Sequence, residues 1–228
     1  MIEENYGTAQ RQMIEDIAAH ASFAQKHLGK KTLDRRVLDA MAQIPRHEFV
    51  PVELRSFAYE DTPLPIGYGK TISQPFIVAL MTDLLDLRPD DIVLEVGTGL
   101  GYQTAILAEL AGTIYSLDII EELSAEADRR LQQHGYSNFN TRVGDGYLGW
   151  PDHAPFDKVI VTAAPDLIPP PLIEQLKPGG KMVIPTGTPD AQQLMLVRKT
   201  AEGRLETEDI LPVRFSLLES DNVIGGTV

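Results

Sequence analysis

From about residue 75 onward the chain alternates between two hydrophobic rhythms. DIVLEVG, TIYSLD, NFNTRVGD, KVIVTAA and KMVIPTG are short apolar runs bounded by turns. FIVALMTDLLDL, YQTAILAELA and EELSAEADRRLQQHG instead repeat apolar residues every three or four positions. The first rhythm predicts strands buried on both faces and the second predicts amphipathic helices. Their alternation predicts an α/β fold, a mostly parallel central sheet flanked by helices on both sides. Gly135 suits a helix C-cap, and PPLIEQLKPGG reads as a helix running into a turn. QLMLVRKT and ILPVRFSLLE, separated by a polar turn, predict antiparallel edge strands at the C-terminal end.

Upstream the pattern changes. Residues from about Thr8 to Gln43 read as an N-terminal helical extension; Val37, Leu38, Met41 and Ile44 form one apolar face there, and Pro45 stops the helix. Between Arg46 and Lys70 the density of Pro and Gly predicts irregular structure. The expected organisation is one domain over residues 1–228: a helical cap region over 1–70, a ligand-binding core over 71–190, and antiparallel strands with a tail over 191–228.

Composition narrows the functional classes. The 228 residues carry a formal net charge of −13, which disfavours a nucleic-acid partner, since such partners require phosphate neutralisation by Lys and Arg. The basic pairs Lys30-Lys31 and Arg35-Arg36 are too short to change this. No apolar run is long enough to span a bilayer, and the acidic, polar MIEENYGTAQ does not resemble a secretory leader. The absence of cysteine rules out disulfides and thiolate metal sites and suits a reducing cytoplasm. His20, His27, His134 and His153 show no metal-ligand spacing, so no metal is expected.

The candidate chemistry begins at VLEVGTGLGYQTAIL, which sets Gly97, Gly99 and Gly101 between a strand and a helix. Such turns bind ligands beyond the carboxyl ends of parallel strands, and glycine permits close backbone approach. Asp118 ends the next strand, where a carboxylate can accept both ribose hydroxyls or, alternatively, cap the helix after it. The third strand ends in Gly144-Asp145-Gly146, a plain turn or a site at which Asp145 accepts from an adenine amino group. The loop reads G-x-G-x-G, unlike the G-x-G-x-x-G of dinucleotide sites, and no Walker lysine is present. Strand, glycine loop, strand, acid, strand and GDG together favour S-adenosylmethionine over NAD, with S-adenosylhomocysteine as the product.

The acceptor follows from what is missing. VTAAP, closing the fourth strand, offers no titratable side chain, and no Asn/Asp-Pro-Pro-aromatic tetrad occurs. A carboxylate acceptor needs no base, so O-methylation of an acid is favoured. TISQP places Ser73 at a helix start, where Ser or Gln can cap and the helix terminus favours a carboxylate. On these grounds a cap and a substrate contact are equally good readings of Ser73.

VLEVGTGLGYQTAILA, PLPIGYGKTISQPFIVALMTDLL, GDGYLGWPDHAPFDKVIVTAAP and IPRHEFVP closely resemble the protein-L-isoaspartate O-methyltransferases, from about Leu38 to Pro185. The resemblance implies a Rossmann-like class I methyltransferase. Such an enzyme repairs L-isoaspartyl residues, and in some cases D-aspartyl residues, in damaged proteins by methylating their free carboxylate. Carried over by position, Ser73 is the active-site serine. The implied cofactor site comprises Thr71, Ile72, Gln74, Glu95, Gly97, Thr98, Gly99, Gly101, Tyr102, Asp118, Ile119, Asp145, Gly146 and Thr162, with Ala163 and Val213 joining Ser73 on the substrate side. Three departures stand out: SLDII in place of SVERI, Leu100 in place of the loop serine, and VRFSLLE in place of V-x-F-V-P-L. The partners implied are isoaspartyl-containing proteins and peptides, met by a cytoplasmic monomer, with a dimer as the alternative. Two other functions compete: methylation of an unmodified aspartate on a dedicated peptide, and non-catalytic binding. His47 reads as a packing residue, Trp150 as a wall or core residue, and Tyr59 and Tyr68 as borders of a substrate groove.

Overall fold

The computed structural model describes residues 2–23 and 32–220, with side chains from Tyr6 onward. Part of the expected helical extension, with His27 and Lys30-Lys31, lies outside the described residues, as does the tail from 221. Seven strands form one sheet in the order β5 (Phe139–Val143), β4 (Thr113–Asp118), β3 (Ile92–Val96), β6 (Phe156–Val161), β7 (Leu176–Thr188), β8 (Ala191–Lys199) and β9 (Leu205–Val213). Pairing is parallel from β5 through β7 and antiparallel from β7 to β9. The chain leaves β3 for β4 on one side and later adds β6 on the other. The carboxyl end of β3 is therefore the switch point at which such sheets form a ligand crevice.

The apolar runs explain this layout. In β3, Val93 packs into the cluster on one face of the sheet, and Leu94 and Val96 into the cluster on the other. The first face is covered by α1 (Ile2–Phe23), α2 (Arg35–Gln43), α3 (Pro75–Leu85), α4 (Tyr102–Leu110) and α5 (Glu121–Gln133). Met13 and Ile17 of α1 are fully buried there, each contributing on the order of 2 kcal/mol. Gln10 adds a polar tie, its Nε2 donating to the carbonyls of Met41 and Ile44 at 3.1 and 2.8 Å and so serving the exposed end of α2. Trp150 belongs to the second core, with the Arg142 guanidinium 4.6 Å from its ring centroid.

The structure departs from the sequence pattern in three places, one being that β9 runs over Leu205–Val213 and so leaves the expected RFSLLE outside the strand. Residues 46–70 are not wholly irregular: two 3-10 turns precede a hairpin of β1 (Leu64–Gly67) and β2 (Lys70–Ile72). Leu64, Ile66 and Ile72 are its buried positions, and its tip at Gly67, Tyr68 and Gly69 has positive φ throughout. The helix expected in PPLIEQLKPGG is only α6, Pro170–Glu174, because Leu176 already pairs with Phe156 and opens β7.

Candidate active site

A cavity of about 560 Å³ opens at the carboxyl ends of β3, β4 and β6. The β3–α4 loop forms its floor and takes the shape that its glycines permit. Gly97 and Gly99 have φ of 98° and 55°. A Cβ on Gly97 would sit 2.2 Å from Thr162 Oγ1, which donates to the Val96 and Gly97 carbonyls at 3.1 and 2.8 Å. From the β4 side, Asp118 Oδ2 accepts from the Gly99 N–H at 2.8 Å and Oδ1 from the Ile120 N–H at 2.9 Å. Burial raises the Asp118 pKa, opposed by those backbone donors and by the charge of Lys70. A carboxylate has room for about four acceptor interactions, so these two leave capacity for ribose hydroxyls.

Beneath the loop lies a second, sealed acid. Glu95 is fully buried, its Oε2 accepting from Thr104 Oγ1 at 2.5 Å and Ser116 Oγ at 2.6 Å. Thr98 Oγ1 continues the chain to Ser116 Oγ at 2.6 Å. Burial pushes the Glu95 pKa up to about 7 against the pull of the two hydroxyls, with the Asp118 charge adding to the rise.

The acceptor side is built around the β2–α3 turn. Neither Ser73 nor Gln74 caps α3 with its side chain. The cap comes instead from Asp61, whose Oδ1 accepts from the Phe76 N–H at 2.8 Å while Oδ2 accepts from Gln74 Nε2 at 3.1 Å. His20 Nδ1, on α1, lies 2.5 Å from the same Oδ2. The fully buried Arg46 donates from Nη2 to the Ser73 carbonyl and from Nε to the Ala58 carbonyl, both at 2.8 Å. Its guanidinium carbon sits 4.8 Å from the Tyr102 ring centroid. Burial lowers its pKa, opposed by the neighbouring Tyr102. Ser73 is thereby presented to the cavity by its backbone, without capping duty.

The C-terminal segment completes the wall. Ala164 N–H donates to the Ser216 carbonyl at 2.8 Å and Leu218 N–H to the Ala164 carbonyl at 2.9 Å. Gln192 exchanges two hydrogen bonds with the Phe215 backbone, at 2.6 and 3.1 Å. Across the mouth, Lys70 Nζ meets Glu219 Oε1 at 2.6 Å.

Of the residues expected to hold the cofactor, Thr71, Gln74, Gly97, Gly99, Asp118, Ile119, Gly146 and Thr162 line this cavity. Ser73, Ala163 and Val213, expected on the substrate side, line it with them. The remaining six lie outside the lining, each for a physical reason. Ile72 is core, Glu95 and Thr98 are buried under the loop, and Tyr102 packs beneath Arg46. Gly101 allows α4 to approach α5, since a Cβ there would meet Ala127 and Leu131 at 3.3 Å. Asp145 sits behind the C-terminal segment, Oδ1 accepting from the Tyr147 N–H and Oδ2 from the Ser220 hydroxyl. Of the two tyrosines expected beside the groove, Tyr59 is buried on His47 and Tyr68 is exposed at the hairpin tip. His47 is a packing residue, its ring stacked 4.0 Å from Tyr6 and its pKa lowered by burial. Among the described residues no group of acids and histidines is arranged to hold a metal.

The cavity suits the methyl donor inferred from the motifs. It offers a glycine floor, the Asp118 carboxylate at the end of β4, and an apolar side formed by Leu117, Ile119 and Leu123. At Gly146 a Cβ would lie 2.6 Å from Val96 Cγ1 and 2.8 Å from Leu218 Cδ1, so a larger residue would crowd this wall.

Comparison with known proteins agrees. Residues 21–222 match the family model described as protein-L-isoaspartate(D-aspartate) O-methyltransferase. The chain is 65% identical over 219 residues to protein-L-isoaspartate O-methyltransferase 1 of a Polaromonas species, covering 96% of this chain and 93% of that one. It is 56% identical over 214 residues to protein-L-isoaspartate O-methyltransferase 2 of Syntrophobacter fumaroxidans, covering 93% and 87%. A solved protein-L-isoaspartate O-methyltransferase, 26% identical, superposes with a TM-score of 0.79 over 93% of this chain and 66% of that one. A Plasmodium falciparum structure described as a putative member in complex with S-adenosyl-L-homocysteine superposes at 0.78, with 21% identity, over 93% and 99%, which speaks for the fold. The chain belongs to the protein-L-isoaspartate(D-aspartate) O-methyltransferase family.

Proposed function

We infer that this cavity is where the protein transfers a methyl group from S-adenosylmethionine to the free α-carboxylate of an L-isoaspartyl residue in a damaged protein or peptide. The repair activity itself is the one carried by the family and by relatives at up to 65% identity. The observation that carries the assignment of residues is the meeting of Ser73 with the glycine loop and Asp118 in one cavity.

Gly97, Gly99, Asp118, Ile119 and Gly146 would hold the donor, which supplies an electrophilic sulfonium methyl when bound. Thr71, Ser73 and Gln74 would hold the acceptor, with Thr162, Ala163 and Val213 as the opposite wall. Ser73 would donate a hydrogen bond to the acceptor carboxylate and so fix which oxygen faces the donor, and positioning is the main task in an in-line displacement. No base is required, because a carboxylate is already ionised at neutral pH. Among the described residues of the lining, Asp118 accepts from backbone N–H groups and Glu219 pairs with Lys70. The backbone amide nitrogen then attacks the methyl ester and expels methanol to form a succinimide, whose hydrolysis returns a fraction of the molecules to ordinary aspartate. We further propose a cytoplasmic monomer acting on proteins and peptides rather than nucleic acid or membranes. The net charge of −13 supports this, as does the lack among the described residues of a helix long and apolar enough to cross a bilayer.

The test is a pair of matched peptides, one isoaspartyl and one aspartyl, incubated with labelled S-adenosylmethionine. Label is expected on the isoaspartyl peptide. Label on the aspartyl peptide alone would replace repair with modification of a dedicated target, and binding without label on either would make the protein a non-catalytic reader.

A further inference from the structure

Lys70 and Glu219 face each other across the rim of the cavity and both line it. Lys70 lies on β2, three residues before Ser73, while Glu219 ends the segment that runs along Ala164. Their exposures differ: the lysine side chain is 18% exposed and the glutamate 45%. Of the four ionisable groups in the lining, Lys70, Asp118, Arg214 and Glu219, Asp118 is bound to backbone donors and Arg214 is exposed. Lys70 is therefore the partly buried cation of the site, and a carboxylate of the chain itself occupies it.

A structural clasp is the simpler account of such a pair, but the C-terminal segment does not need one. Its backbone is already fixed by Ala164 and Gln192, and Ser220 is bonded to Asp145 at 2.6 Å. Both molecules that the site must accept, the isoaspartyl peptide and the methyl donor, bring a carboxylate. We propose that Lys70 is a carboxylate-recognition residue of this cavity, and that Glu219 is its internal occupant and yields to the carboxylate of an incoming ligand. The exchange keeps the charge balance of the site. One carboxylate moves to water as another arrives, so the ammonium is never left buried and unpaired, which is the costly state for such a group. Glu219, nearly half exposed, loses little on release, as expected for a solvated ion pair.

The proposal deepens the methyltransferase reading and rests on it. Glu219→Gln and Lys70→Gln are compared in the full chain. The readouts are KM for an isoaspartyl peptide and for S-adenosylmethionine, and equilibrium binding of S-adenosylhomocysteine. A further readout is binding of the acid peptide and its carboxamide counterpart to the protein saturated with S-adenosylhomocysteine. Glu219→Gln is expected to tighten the ligand that supplies the carboxylate about threefold, Lys70→Gln to weaken it about tenfold, and the double variant to follow Lys70→Gln. Shifts in the acid peptide but not in its carboxamide identify the acceptor as that ligand; shifts in S-adenosylmethionine and S-adenosylhomocysteine identify the donor. If both substitutions move affinity in the same direction, or neither ligand shifts by as much as twofold, the pair is a clasp and the proposal is overturned. The binding measurements need no turnover, so a protein that binds yet fails to methylate would sink the activity and leave the carboxylate site standing.

Discussion

Two turns of this protein do the same job by different means. The β3–α4 loop and the β2–α3 turn each lead into a helix, each line the cavity, and each rest on ionisable side chains removed from water. The first is held by Asp118, 19 residues beyond Gly99, with Glu95 sealed beneath it, all within the single unit of β3, α4 and β4. The second is held by Arg46 and Asp61, which lie 27 residues before Ser73 and 15 before Phe76. The cofactor floor is thus built within one strand–helix–strand unit, whereas the acceptor shelf joins separate segments, with His20 of α1, Arg46 and Asp61 all brought to the β2–α3 turn. Damage to the shelf should therefore affect folding and acceptor chemistry together, while damage to the floor should appear first in donor affinity.

The strongest break of that contrast is at Arg46. Arg46→Met removes the donors to the Ala58 and Ser73 carbonyls and leaves both without their partner, at a cost of about 3 kcal/mol. Urea unfolding should show this loss, and kcat should fall further than affinity for S-adenosylhomocysteine. A loss below about 1 kcal/mol would mean that water replaces the guanidinium without difficulty.

Glu95 tests the sealed acid beneath the loop. Its pKa rises from an ordinary carboxylate value to about 7 on folding, so the folded state holds a proton that the unfolded chain releases. Stability from this group is complete below about pH 4.5 and is lost as pH rises through 7. Replacing it by Gln should flatten the fall in stability between pH 5 and 8, by up to about 3 kcal/mol. Identical pH profiles for Glu95→Gln and the wild type would show that Glu95 stays ionised in the fold.

Asp118→Ala should raise the dissociation constant for S-adenosylhomocysteine about thirtyfold, roughly 2 kcal/mol, through loss of the ribose acceptor and of the Gly99 tether together. Unchanged binding would falsify the ribose role. The mildest change, Ser73→Ala, should lower turnover about tenfold, or roughly 1.4 kcal/mol of barrier, with donor affinity little altered. Turnover within threefold of the wild type would reduce Ser73 to a wall residue.

The same contrast explains what the sequence reveals. The glycine loop, Asp118 and the strand–helix alternation are legible because they fall within one regular strand–helix–strand pattern with simple periods. The hairpin before Ser73 is not, because its strands have four and three residues and include Pro65 and Gly67. The helix cap is misread for a related reason. Ser73 and Gln74 are adjacent to α3 and have the right chemistry, yet the carboxylate of Asp61 takes the Phe76 N–H, and no local pattern announces it. His20, 41 residues from Asp61, is equally invisible before the chain is folded. Glu95 and Asp145 are expected site residues that stand outside the cavity lining. Both lie at the expected strand ends, but one faces the packed interior and the other is screened by Ser220.

The segment beside Ala164 bears on how this enzyme can change over generations. Its attachment runs through the main chain of Phe215, Ser216 and Leu218, and almost any side chain preserves such bonds. VRFSLLE can therefore differ from the family's usual residues at several positions while the wall it forms keeps its course. Substitution there reshapes the wall while its backbone course is kept, and at Leu218, which packs against Gly146, the reshaping reaches the donor side as well.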